Sequence, residues 1–256
     1  MSAGNGALAP FLRGALEAEA RAAALRGAVL LTTPALAPRA PASARVWIHP
    51  HATWAMAELL DTCAIDESPA AIGLGSIVGL HAVVGPRVVI GRNVVIGPSC
   101  VIGEPGFGWV TSPSGRVRHV PQLGGVVIED DVHLGALCTV DAGTLGPTII
   151  RRGAKLDAHV HVGHNTEIGE GCIIAAQSGF AGSVRLGKGV LVGGQAGFAD
   201  HVTVGDGARV AAKSGVIGDV PAGATVAGYP AVLRARWLRA WGWVHRSSAR
   251  DRKPKP

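Results

Sequence analysis

From Ile150 to Val216 every sixth residue is aliphatic or Phe: Ile150, Leu156, Val162, Ile168, Ile174, Phe180, Leu186, Val192, Phe198, Val204, Val210 and Val216. Neither the 3.6-residue period of a helix nor the two-residue alternation of a strand gives a strict repeat of six. A short repeat of this kind marks a parallel β-helix, in which each hexad is a brief strand followed by a turn. The same phase runs upstream through Ile72, Val78, Val84, Ile90, Ile96 and Ile102, and again through Ile128, Leu134 and Val140. The residue after each aliphatic is usually Gly, Ala or Asp, and the fourth residue after it is small or Val, as at Ala82, Cys100, Cys138, Thr166, Cys172 and Ala196. A small side chain there points inward beside the aliphatic, and a Gly beside a short strand permits a tight corner. Twenty-one hexads, three to a turn, predict a triangular solenoid of about seven turns.

Two interruptions break the repeat. Glu104 to Gly125 is a long insertion and Leu145 to Thr148 a brief one; insertions in a solenoid leave from one face and often build its binding site. Ahead of the hexads, an Ala/Leu/Glu/Arg run from Phe11 to Leu31 predicts a helix, followed by a Pro- and Ala-rich joint from Thr33 to Ser43. A short strand over Arg45 to His49 and a helix over Thr53 to Leu60 complete this part. After Val216 the pattern decays; Gly228-Tyr229-Pro230 punctuates it, and Ala231 to His245 reads as a Trp- and Arg-rich helix suited to cap the solenoid's open end. The chain thus divides into a small α/β segment (1–67), a β-helix (68–227, with the insertion 104–125) and a basic helix and tail (228–256).

Composition fits a narrow aliphatic core: 37 Gly and 4% aromatic residues alongside 48% hydrophobic ones. No run of about 18 apolar residues is present, so no transmembrane segment is expected, and no secretory signal is read at the N-terminus. The four cysteines have no CxxC spacing, and three fall on inward slots, so buried reduced thiols in a cytoplasmic protein are expected. The net charge of +6 is uneven. From Val232 onward, Arg234, Arg236, Arg239, Arg246, Arg250, Arg252, Lys253 and Lys255 stand against one acid, Asp251, which predicts an acidic partner; no nucleic-acid partner is expected.

Residues 18 apart stack at one azimuth of a three-hexad turn. His164 and Gly182 are 18 apart; His201 is two turns and one residue from His164. The three therefore line one corner at about 4.8 Å per turn. A histidine serves as general base near neutral pH, and a Gly N–H can hold a developing oxyanion. Acyl transfer to an amine or hydroxyl needs these two groups.

The segment KLDAHVHVGHNTEIGEG, the insertion beginning GEPGFGW, the following VPQLGGVVI, and TVDAGTLGPTII together resemble the UDP-3-O-acylglucosamine N-acyltransferase family of lipid A biosynthesis. The resemblance runs from about Ile72 to about Tyr229 and weakly over Val46 to Asp61. It implies a left-handed β-helix, a homotrimer with sites between subunits, a 3-hydroxyacyl donor carried by acyl carrier protein, an amino-sugar nucleotide acceptor and no cofactor. The family's catalytic His falls on His164, its oxyanion Gly on Gly182 and its second site His on His201. Asp157 matches an Asp that orients the base; lying on another corner, it would have to reach the site across a subunit boundary. Phe107, Trp109 and Gln122 of the insertion are assigned to substrate binding. Two features depart from the family. Ala158 stands where Asn is frequent, and the Phe-x-x-Asn-Pro segment of a uridine-binding domain is not found; only VWIHPHATWAMAELLD matches the end of that domain. Two other enzymatic readings stay open: a coenzyme A-dependent transferase acting on another amino sugar, and a γ-carbonic-anhydrase-like zinc enzyme using His159 and His164. A scaffold without chemistry is a third.

Overall fold

A computed structural model describes residues 7–12, 17–228 and 234–250. Its centre is a parallel β-helix whose strands form three sheets of seven, eight and seven strands. Each strand pairs in parallel with the strand one turn earlier and one turn later, as Lys155–Leu156 does with His133–Leu134 and Ile173–Ile174. Every predicted hexad residue lies in one of these strands, and the strand that the hexads do not count is Thr225–Val226, which extends the second sheet.

The inward positions form one continuous core. From Ile90 to Val216 the hexad residues are buried, and the small partners Cys100, Cys138, Cys172 and Ala196 are sealed beside them. Phe180 and Phe198, one turn apart, stack with ring centroids 4.5 Å apart. Thr166 and Ser178 occupy inward slots at no cost in unpaired hydroxyls: Thr166 donates to the Ala181 carbonyl and Ser178 to the Ala175 and Gly193 carbonyls. At the first turn Ile72 and Val78 are exposed, because no earlier rung covers them. Cys63 departs from the expectation of buried thiols: it lies past the second helix and is exposed.

Each turn has three corners, and the corner residues take left-handed backbone angles. One corner ladder is Gly153, Gly171, Gly189 and Gly207; the second is His159, Gln177, Gln195 and Lys213; the third is Asn165, Ser183 and His201. A side chain in this conformation is disfavoured unless the surroundings enforce it, and here the flanking strands do.

The N-terminal prediction of one helix from Phe11 to Leu31 is overturned. Leu8–Phe11 and Val29–Thr32 are parallel strands paired with each other, and Arg45–Ile48 adds a third strand. Between the first two, Glu17–Leu25 (α1) is helical, and residues 13–16 of the predicted helix lie outside the described residues. Helix propensity lost to burial: Leu30 and Leu31 are fully buried in sheet geometry. Ala52–Leu60 (α2) forms as expected and buries Ala52, Trp54, Ala55, Ala57 and Leu60.

The insertion folds as an antiparallel hairpin, Trp109–Thr111 against Val117–His119, and sits on α2. Arg118 pins it there, donating to Asp61 at 2.7 Å and lying 5.0 Å over the Trp54 ring. At the other end, Arg234–Arg250 is helical (α3), but Leu238, Trp241, Trp243 and Val244 remain exposed, so these side chains do not seal the solenoid end as predicted. Residues 229–233, which include part of the predicted punctuation and the start of the predicted helix, lie outside the described residues, as does the basic tail 251–256. Among the described residues no helix is long and apolar enough to cross a membrane.

Candidate functional site

The third corner ladder, the insertion hairpin and α2 enclose a pocket of about 600 Å³. His164, Gly182 and His201 line it together, as their spacing predicts, and so do Phe107, Trp109 and Gln122. The stacking is direct: Ser183 N–H donates to the His164 carbonyl at 2.8 Å, and His201 N–H donates to the Gly182 carbonyl at 3.0 Å.

Two glycines make a slot for the His164 ring. A Cβ at Gly182 would come within 2.5 Å of His164 Cε1 and Nε2, and a Cβ at Gly106 would come within 2.5 Å of His164 Cβ. Any side chain at either position would displace the imidazole. Gly182 itself sits between Ala181 and Ser183, whose amides donate to Phe198 and His164 carbonyls. Among the described residues the Gly182 N–H has no backbone acceptor in the ladder. It is available to an oxygen in the pocket.

Behind the ring runs a chain of hydrogen bonds that the sequence did not point to. Asn165 Oδ1 accepts from the Thr144 N–H at 2.7 Å, which fixes which way the amide faces. Its Nδ2 then lies 2.9 Å from both Thr144 Oγ1 and His164 Nδ1. Thr144 Oγ1 donates onward to Gln122 Oε1 at 2.9 Å, and Gln122 Nε2 donates to the Val120 carbonyl at 2.7 Å. An amide nitrogen only donates, so in this state His164 Nδ1 accepts and the neutral ring carries its proton on Nε2. Gln122 is buried with both ends of its amide bonded within the protein, so in this state it supports Thr144 rather than presenting a free group to the pocket.

Burial lowers the His164 pKa, with the neighbouring His119 and His161 adding to the effect, so the ring is held neutral. His161 is tied to Thr139 Oγ1 at 2.7 Å through Nδ1, with its Nε2 3.8 Å from Asp141. Burial raises the Asp141 pKa against the pull of His161. Asp141 belongs to the TVDAG segment, yet nothing in its spacing marks it as a pocket residue. His119 Nε2 meets the Gly106 carbonyl at 2.9 Å and stacks edge-on to Trp109, 5.1 Å between centroids. Phe107 and Trp109 form the exposed aromatic rim. His201 is 38% exposed and 3.8 Å from Asp200.

Asp157 does not join this pocket. It lines a second groove, along the corner of Gln177, Gln195 and Lys213, and its Oδ1 accepts from its neighbour's N–H at Ala158. His159 belongs to that second corner as well, so it does not pair with His164 within one chain. Among the described residues no group of three or more His, Cys, Asp or Glu is arranged to hold a metal ion.

The model for bacterial transferase hexapeptide repeats (six repeats) matches residues 147–182, and that for the hexapeptide repeat of succinyl-transferase matches residues 125–164 and 183–214. A UDP-3-O-acylglucosamine N-acyltransferase of Caulobacter vibrioides (strain NA1000 / CB15N) is 57% identical over 143 residues, 56% of this chain and 42% of that protein. The chain resembles that family. A second relative of the same name, from Christiangramia forsetii, is 55% identical over 80 residues, 31% of this chain and 24% of its own length. The chain thus spans less than half the length of these relatives. Among solved structures, the UDP-N-acetylglucosamine acyltransferase from Campylobacter jejuni aligns with a TM-score of 0.50 and 25% identity, covering 61% of this chain and 66% of that one. The Francisella novicida UDP-N-acetylglucosamine acyltransferase aligns with a TM-score of 0.51 at 24% identity over 71% and 72%, a likeness of fold. The fold is the left-handed parallel β-helix, its solenoid expected from the hexads and its hand from the resemblance alone.

Proposed function

We propose that this protein is an N-acyltransferase that moves a 3-hydroxyacyl chain from acyl carrier protein to the amine of a UDP-linked acylated glucosamine, as the names of its relatives suggest. The observation that carries the reading is the slot holding neutral His164 beside the Gly182 N–H, which the ladder leaves without a backbone acceptor. His164 acts as general base. As the amine attacks the thioester carbonyl it loses a proton to the imidazole, and the Gly182 N–H holds the oxyanion until the thiolate leaves. Accepting at Nε2 requires the ring proton on Nδ1. In this state the Asn165 amide, whose oxygen is held by the Thr144 N–H, opposes that tautomer, so base action requires the Asn165–Thr144 contact to rearrange. His201 binds substrate, and Phe107 and Trp109 flank the entrance.

The remaining parts follow from the same reading. Asp157 on the second corner orients the base of a neighbouring copy in a homotrimer. Residues 1–67 are the remnant of a nucleotide-binding domain, and the basic end from Val232 recruits the acidic carrier by electrostatic steering, an effect that weakens with salt. The deciding experiment is a screen of acyl carrier protein against coenzyme A thioesters, crossed with UDP-linked against free amino sugars. Turnover confined to the carrier protein and UDP-linked pair supports the proposal. Turnover with coenzyme A donors alone replaces it with the second reading.

A further inference from the structure

Arg87 does not line the pocket. It precedes the strand Val88–Ile90, which pairs with Val126–Ile128 where the insertion rejoins the solenoid. Its Nη1 donates to the Asp66 carbonyl at 2.9 Å, and its Nη2 donates to the Gln122 carbonyl at 3.1 Å. Its own carbonyl accepts from the Val126 N–H at 3.2 Å, and a Cβ at Gly125 would come within 2.1 Å of that oxygen, so the returning chain lies flush against it. The third guanidinium nitrogen, Nε, is buried without a hydrogen-bond partner among the described residues. An unmade bond on a buried charged group costs stability, so packing alone does not account for an arginine here. What the fork holds is the main chain of Gln122, the far end of the hydrogen-bond chain behind His164. Thr144 gives its hydroxyl hydrogen to Gln122 Oε1, which leaves Thr144 Oγ1 to accept from Asn165 Nδ2. If Gln122 moves away, that hydrogen is free to go to an Asn165 oxygen turned toward the ring.

We propose that Arg87 is a positioning residue: by anchoring Gln122 it holds Thr144 and Asn165 in the arrangement that denies His164 its base tautomer until substrate rearranges them. The tautomer of a neutral imidazole is set by the partner of its other nitrogen, and here that partner is the Asn165 amide nitrogen. The consequence for chemistry rests on the acyl-transfer reading above. A base left free before the acceptor arrives would act on water. Water would lose a proton to His164 Nε2 and add to the thioester carbonyl. The carbon–sulfur bond would break, and the thiolate would take up the proton, giving a free acid and a thiol. Arg87 thus suppresses loss of the donor, and it does so from outside the pocket through the Gln122 main chain.

The test begins with the tautomer, which needs no turnover. In the full chain labelled with nitrogen-15 in its imidazoles, the His164 signals are assigned by their loss in His164→Ala and read at a pH where the ring is neutral. Wild type should show the proton on Nε2. Arg87→Met should raise the Nδ1–H share about threefold or more. Arg87→Lys keeps the charge but not the two-pronged fork, so it should behave like the Met variant, and it serves in its place if that one fails to fold. Arg92→Met, which breaks a surface ion pair with Asp130, should change nothing. Gln122→Ala should raise the Nδ1–H share by itself, and adding Arg87→Met should then have no further effect. An unchanged tautomer in Arg87→Met, a Lys variant like wild type, or additive effects of the Arg87 and Gln122 changes overturns the proposal. With a thioester donor and no acceptor, Arg87→Met should release free acid about fivefold faster than wild type, and an unchanged or slower release also overturns it. If no donor is used by any variant while the tautomer shifts as expected, the acyl-transfer reading fails and the anchoring role of Arg87 stands.

Discussion

The second and third corners of the solenoid both carry side chains at left-handed positions, and the insertion hairpin closes over only the third. Along the second corner, His159, Gln177, Gln195 and Lys213 repeat at the same backbone angle, and the Gln195 amide donates to Gln177 at 2.6 Å as an open polar ladder. Along the third, Asn165, Ser183 and His201 hold equivalent places, but Gly106 and the insertion hairpin close over the adjacent His164. The repeat makes corners equivalent; the insertion makes them different. It removes water from one imidazole, lowers its pKa and connects it to Thr144 and Gln122.

The comparison breaks most sharply at His164. Replacing it with Ala should cost about 100- to 10,000-fold in kcat with little change in melting temperature, because the residue lies outside the aliphatic core. A variant retaining near-normal turnover with its best substrate would make the corner structural. Gly182→Ala comes next. Its Cβ would strike the ring edge, so a loss of about 100- to 1,000-fold in kcat is expected, with a displaced His164 visible in a crystal structure.

Asn165 sharpens the comparison in proton chemistry. Asn165→Leu removes the ring's partner and should cost on the order of 10- to 100-fold. Asn165→Asp gives Nδ1–H an acceptor, so it should keep more activity than the Leu variant and move the acid limb of the rate profile upward. In the wild type that limb should lie below the usual histidine value near 6.5, since burial opposes protonation of His164. The same depression makes the unfolded chain bind a proton first, so His164's contribution to stability falls as pH drops through that window. A wild-type limb above the ordinary histidine range would contradict the neutral-base assignment.

The smaller effects mark the edges. His201→Ala should raise KM about tenfold while kcat changes little, as expected for a partly exposed group that binds rather than shuttles protons. Gln195→Ala, at an equivalent backbone position on the open corner, should leave turnover within about twofold in the assembled protein. A larger loss there would mean that the second groove enters the reaction, as Asp157 is proposed to do from a neighbouring copy.

The sequence alone determined the solenoid, because a six-residue spacing of aliphatics is compatible with almost no other backbone, and stacking by 18 residues then placed His164, Gly182 and His201 on one corner. It misled between Phe11 and Leu31, where Ala and Leu favour a helix locally but burial of Leu30 and Leu31 against neighbouring strands selects a sheet. Cys63 is the one cysteine off the inward slots of the repeat, and it is the one that is exposed, past the end of α2. Only the tertiary structure decided what surrounds His164. Gly106 and Gln122 come from the insertion, Thr144 from just before the short break and Asn165 from the ladder, and no period relates them. A repeat is legible because one local rule is applied many times. The site depends on where two irregular segments fold back, and that is set by their packing on α2 and the corner, not by any spacing along the chain.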